Sequence, residues 1–161
     1  MAKPQTTPHD LDAETAVLGA ILLSADAFAT VRSELSAADF YLAQNQLAYQ
    51  LIGATYFKHA ACDIKLLEET AAGKGIDVDL PYYLGLADES CAFSLVDHYA
   101  RIVKDRSTRR RAMHILAGQN LTDTDQDVDT ALVAVMEDLK ALRNNGHGRP
   151  QLHIATYAER M

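Results

Sequence analysis

The chain has 161 residues, a formal net charge of −7, 48% hydrophobic residues and no tryptophan. That is enough apolar material for the core of one soluble domain, or of a small domain with an appendage, and the acidic balance argues against a dedicated nucleic-acid binder. No apolar run reaches the ~18 residues of a membrane span. Lys3 is followed by proline and polar residues, which predicts no signal peptide, and the separated Cys62 and Cys91 form no CxxC pair and read as cytosolic thiols.

Residues 1–9, polar with Pro4 and Pro8, predict a flexible N-terminal tail. Asp10 or Asp12 can cap a first helix with Glu14 in its first turn, where an acid favours the helix dipole. Ala13, Ala16, Val17, Ala20 and Ile21 give it an apolar face, and Ala16, Gly19 and Ala20 permit close approach of a neighbour. Ser24 or Asp26 restarts a short second helix carrying Phe28, Val31 and Leu35; Ser36 to Tyr41 is a connector anchored by Phe40 and Tyr41. A third helix runs from Gln44 to Lys58, with Leu47, Leu51, Ile52, Thr55 and Tyr56 on its buried face. Asp63 caps a fourth over Ile64 to Ala72, which Gly73-Lys74-Gly75 ends. Ile76 to Leu80 is loop, since Pro81 follows and no partner strand exists; Tyr82 to Ala87 is a short fifth helix.

Two long helices follow. The first opens at Ser94, with Asp97 three residues on as a capping box. Leu95, Tyr99 and Ile102 fall at spacings of four and three, and the register continues through Arg106 and Arg109 to Met113 and Leu116. An acidic turn from Leu121 to Asp127 leads to a helix carrying Val128, Leu132, Val135, Leu139 and Leu142. A seam at this spacing wants a partner helix, and a short turn folds the pair back antiparallel. The expectation is therefore an all-α protein: a flexible tail over 1–9, a globular head of about five short helices over 10–93, a helical hairpin over 94–143, and a linker or the start of a following segment over 144–161. The seam is expected to close the hairpin and then to pair it with a second copy.

Chemistry-bearing patterns fail one by one. Gly73-Lys74 has Glu68 where a phosphate-binding loop needs its first glycine and Gly75 where it needs Ser or Thr. Asp123, Asp125 and Asp127 occupy the first positions of a calcium loop, but Val128 and Ala134 stand where Gly and Glu are required. The histidines are scattered, and nothing completes a ligand set around His59 and Cys62. No catalytic, cofactor or metal site is assigned. The one charged feature with specificity is the basic run of the first hairpin helix. The run reads either as a solvated face, pairing with Asp105 and with acids of the second hairpin helix, or as a docking surface on which Arg101, Lys104, Arg110 and Arg111 of the outer face meet a partner; Arg106 and Arg109, on the seam itself, are expected to set register or partner choice.

Four stretches carry a resemblance. Pro8 to Leu23, Ala38-Asp-Phe-Tyr41, Tyr82-Tyr-Leu-Gly-Leu-Ala87 and His98-Tyr-Ala-Arg-Ile-Val-Lys-Asp-Arg-Ser-Thr-Arg-Arg-Arg111, in that order, resemble the N-terminal domain of DnaB-type bacterial replicative helicases. The match runs from about Pro8 to Leu142. The resemblance implies a non-catalytic collar domain in the cytoplasm that assembles as a dimer, then a trimer of dimers. Its partners would be primase or a helicase loader, with DNA engaged only indirectly and ATP and Mg²⁺ handled by a separate RecA-like domain. Two departures stand out: Ile64 to Gly75 is shorter than the usual helix and loop, and Arg149 to Tyr157 is unlike the usual lead into the RecA-like domain. The second fits an atypical helicase of phage or mobile-element origin, or a different C-terminal module. The alternative function is a stand-alone adaptor or inhibitor that binds a helicase. A direct single-strand DNA binder is the weakest reading, for want of an aromatic stacking platform.

Overall fold

The structure, a computed structural model, describes residues 6–118, 125 and 127–145. Among them are seven α-helices and two short 3-10 helices. The acidic turn falls largely outside the described residues, as does the linker beyond Asn145.

Helix α1 (Leu11–Leu23) begins at Asp10, whose carboxylate accepts the Ala13 amide at 3.0 Å. It is the centre of the head and packs against α2 (Ala25–Val31), α3 (Ala43–His59), α5 (Leu80–Asp88) and α6 (Val96–Ala117). Burial on several sides explains why Leu18 and Leu22 join Val17 and Ile21 in the core, a wider apolar surface than the single predicted face. Gly19 is the point of closest approach: a Cβ there would lie 2.0 Å from the Leu86 carbonyl oxygen of α5. Ser24 ends α1 and caps α2 by accepting the Ala27 amide at 3.2 Å.

Beyond α2, Leu35 and Phe40 enter the core around the first 3-10 helix, Ala37–Asp39. Tyr41 does not; its ring is left at the surface. Helix α3 buries Leu51, Ile52, Thr55 and Tyr56 as expected, together with Ala48 and Tyr49, whereas Leu47 points away from the core, 40% exposed. Asp63 caps α4 (Ile64–Ala72) through the Leu66 amide at 2.8 Å. Helix α5 starts two residues before the expected Tyr82. Asp79 caps it, and Pro81 sits in its first turn, where a missing N–H costs nothing, so the proline opens this helix.

The capping box expected at Ser94 is not formed. Ser94 lies in the second 3-10 helix, Phe93–Leu95, and α6 starts from Leu95 with no side-chain cap. After α6 the chain returns as α7 (Val128–Asn145), which packs on α6. Asp127 opens α7 by accepting the Thr130 amide at 3.0 Å. Among the described residues no helix is long and apolar enough to cross a membrane.

Candidate docking and assembly surface

Helix α6 has 22 residues, which at 1.5 Å of rise makes it about 33 Å long. Only its first half is clad by the head. Val96, Ala100, Val103 and Ser107, at spacings of four, three and four, form the fully buried stripe against α1, α2 and the first 3-10 helix. This stripe lies one residue beyond the predicted seam. Tyr99 and Ile102 flank it, half-buried on the head core, and Leu95 stays 47% exposed. Tyr99 and Ile102 therefore pack on the head rather than in the hairpin, and Leu95 does neither. The small and branched side chains of Ala100 and Val103 allow the close helix contact that Tyr99 would prevent.

From Thr108 to Ala117 no residue of α6 is fully buried. This is the arm. Along α7, Ala131 is buried and Val135, Leu139 and Leu142 are half-buried. Leu132, predicted to be in the seam, instead gives its place to Ala131, which is small enough to let the helix backbones approach. Met113, Leu116, Val128, Leu132, Val133 and Met136 remain between 39% and 59% exposed.

The joint between head and arm is polar. Its centre is Asp39, with no solvent exposure at all. One carboxylate oxygen accepts from the Ser36 amide at 2.8 Å and the Ser36 hydroxyl at 3.0 Å. The other accepts from the Ser107 hydroxyl at 2.7 Å and from Arg111 at 2.9 Å, and the Lys104 ammonium stands 3.2 Å from the pair. Burial by itself pushes the Asp39 carboxyl up. The Ser36 amide, the Ser107 hydroxyl and the charges of Lys104 and Arg111 outweigh that and hold it below its ordinary value. Arg110 adds a 2.6 Å bond to the Asp39 carbonyl oxygen.

Three of the four residues expected on an outer basic face are thus turned onto the head. For Lys104 and Arg111 the reason is the buried acid, which requires compensating donors; Arg110 is held by the backbone carbonyls of Asp39 and Pro8. Arg101 alone of the four is exposed with no partner among the described residues. The two seam arginines, Arg106 and Arg109, both bind Asp105, at 2.6 and 2.9 Å, on the surface.

A second buried carboxylate also escaped the sequence. Glu14, 1% exposed, accepts from the Tyr41 amide and from Asn45 Nδ2, each at 2.7 Å, while Asn45 Oδ1 accepts from the Tyr82 hydroxyl at 2.7 Å. Its flanking apolar residues, Ala13 and Val17, were the available signal that this acid faces inward. Glu14 and Asp39 together fix both ends of the Ser36–Tyr41 connector.

Both thiols are held toward the protonated form. Burial, then the neighbouring Asp63, pushes Cys62 up to about 12, and burial raises Cys91. His98 and His114 are exposed on α6. Among the described residues no three His, Cys, Asp or Glu side chains are grouped to hold a metal ion.

A helical head continued by a two-helix arm defines the class: an all-α head-and-hairpin domain. Residues 6–105 match the DnaB-like helicase N-terminal domain family. The replicative DNA helicase DnaB of Treponema pallidum is 33% identical over 128 residues, covering 76% of this chain and 29% of that protein. That of Leifsonia xyli is 28% identical over 145 residues, covering 85% and 30%. The crystal structure of the N-terminal domain of DnaB helicase from Mycobacterium tuberculosis superposes with a TM-score of 0.71 at 25% identity, covering 84% of this chain and 99% of that one. The chain therefore belongs to the DnaB-like helicase N-terminal domain family. It spans less than a third of the length of the helicases it resembles.

Proposed function

We propose that this domain is the assembly and docking part of a DnaB-type replicative helicase in the cytoplasm. Copies pair through their arms into dimers, and dimers join into a trimer of dimers that forms the collar of the ring. The collar receives primase or a helicase loader; ATP- and Mg²⁺-dependent strand translocation falls to a RecA-like domain of such a protein. DNA is reached only indirectly, in keeping with the net charge of −7.

The observation that carries this reading is the exposed apolar surface of the arm. Leu116, Val128, Leu132, Val133 and Met136 are 46–59% exposed on helices whose mutual contact is already made. Apolar side chains gathered on a projecting hairpin gain roughly 25 cal/mol for each Å² that a second hairpin covers. Light scattering across a concentration series should give the mass of a dimer or hexamer, and Leu132→Glu with Met136→Glu should reduce it to a monomer. A strict monomer at high concentration would refute pairing through the arm and leave the stand-alone helicase-binding adaptor in front. For docking, Arg101 is the exposed cation, while Lys104, Arg110 and Arg111 act from the joint. Charge reversal at Arg101 should weaken primase or loader binding, and unchanged affinity for both would remove Arg101 from the docking surface.

A further inference from the structure

Among the described residues, the segment before α1 is tied down where the arm leaves the head. The Pro8 carbonyl accepts from Arg110 Nη1 at 2.8 Å, while Arg110 Nη2 holds the Asp39 carbonyl. The guanidinium lies 5.5 Å from the centroid of the Tyr41 ring. His9 stacks on that same ring, 4.4 Å between centroids and 9° from parallel. His9 Nδ1 is also 2.7 Å from the Thr7 carbonyl oxygen, which closes the segment on itself. Arg110 thus joins three pieces of chain distant in sequence: the N-terminal segment, the connector and the arm helix.

The position of Arg110 gives these contacts their meaning. The buried stripe of α6 ends at Ser107. Past that point apolar packing no longer fixes the helix on the head. Directional polar bonds to Asp39 and Pro8, with the Arg110 guanidinium over the Tyr41 ring, take over, and such bonds have an unmade state that is available to water.

We propose that Thr6–Asp10 is a strap over this joint: the Pro8 carbonyl holds Arg110 and the His9 ring holds the Tyr41 ring beneath it, and release of the strap frees the arm to swing on the head. The strap is a property of the single chain and does not depend on how copies assemble. Its consequence is a coupling: whatever draws the N-terminal segment away shifts the arm toward the free state, and whatever fixes the arm holds the segment down.

The test compares the intact chain with one beginning at Asp10, which keeps the α1 cap and the whole core. In the shortened chain, hydrogen exchange of the α6 amides from Ser107 to Ala112 should quicken ~tenfold, about what one hydrogen bond to a charged group is worth, with the amides of α1 and α3 unchanged. Arg110→Ala should quicken the same amides, and shortening the Arg110→Ala chain should add nothing further, because the strap then has nothing to hold. Spin labels at Ala29→Cys and Glu137→Cys, with Cys62→Ser and Cys91→Ser, report the swing itself: their distance distribution should broaden in the shortened chain. An unchanged distribution overturns the proposal whatever the exchange shows, and so do additive effects of the two changes.

Discussion

Asp39 shows how one side chain sets the character of its surroundings. A carboxylate with no exposure is tolerable only if its charge is answered, and Ser36, Lys104, Ser107 and Arg111 answer it. Asp39→Asn should cost about 3 kcal/mol in urea unfolding, the lower end for breaking a buried pair, because Lys104 and Arg111 retain 23% and 39% side-chain exposure and can return to water. The pH dependence has a fixed sign. The folded carboxyl titrates below its unfolded value of about 3.9, so its contribution is complete at neutral pH and fades as pH falls through that value toward the lower folded one. The stability gap between the native chain and Asp39→Asn should therefore hold from neutral pH down to about pH 5 and shrink in stronger acid. Gly19 is the opposite case, a residue valued for what it lacks. Gly19→Ala drives a methyl group into the Leu86 carbonyl and Ser90, both backbone neighbours that cannot rotate away, and should destabilise the head by about 3 kcal/mol in the same measurement.

At the scale of elements, α6 is two things in one helix. Its first half is a core helix of the head, and its second half is one leg of an arm. A periodic stripe of apolar residues, Leu95–Tyr99–Ile102, is legible in the sequence, but a helix with a wide apolar flank offers a second, adjacent stripe of smaller side chains, Val96–Ala100–Val103. The head prefers the smaller set, since helices that pack tightly need room between backbones. The same preference places Ala131, not Leu132, in the α6–α7 contact. Ala131→Glu should consequently open the hairpin: amide exchange along α7 should approach that of an isolated helix, while the unfolding midpoint of the head stays where it is. Equal loss of both would mean that head and arm unfold as one unit.

For the whole molecule, association through an apolar arm carries a signature of its own. Self-association should survive high salt undiminished, since screening acts on exposed charges and not on apolar contact; loss of the dimer on adding salt would place the interface among the surface ion pairs instead. The sequence by itself determined the helical elements and their order, because caps such as Asp10, Ser24 and Asp63 and the breaks at Gly73 and Gly75 act within a few residues of where they are written. It also carried the family, in motifs that remain legible without any structure. Only the tertiary structure decided which acids are buried, which arginines are committed to them, and which of two neighbouring stripes faces the core. Those are outcomes of long-range contact: Asp39 meets Lys104 and Arg111, and Glu14 meets Asn45, across stretches of chain whose approach no local pattern encodes.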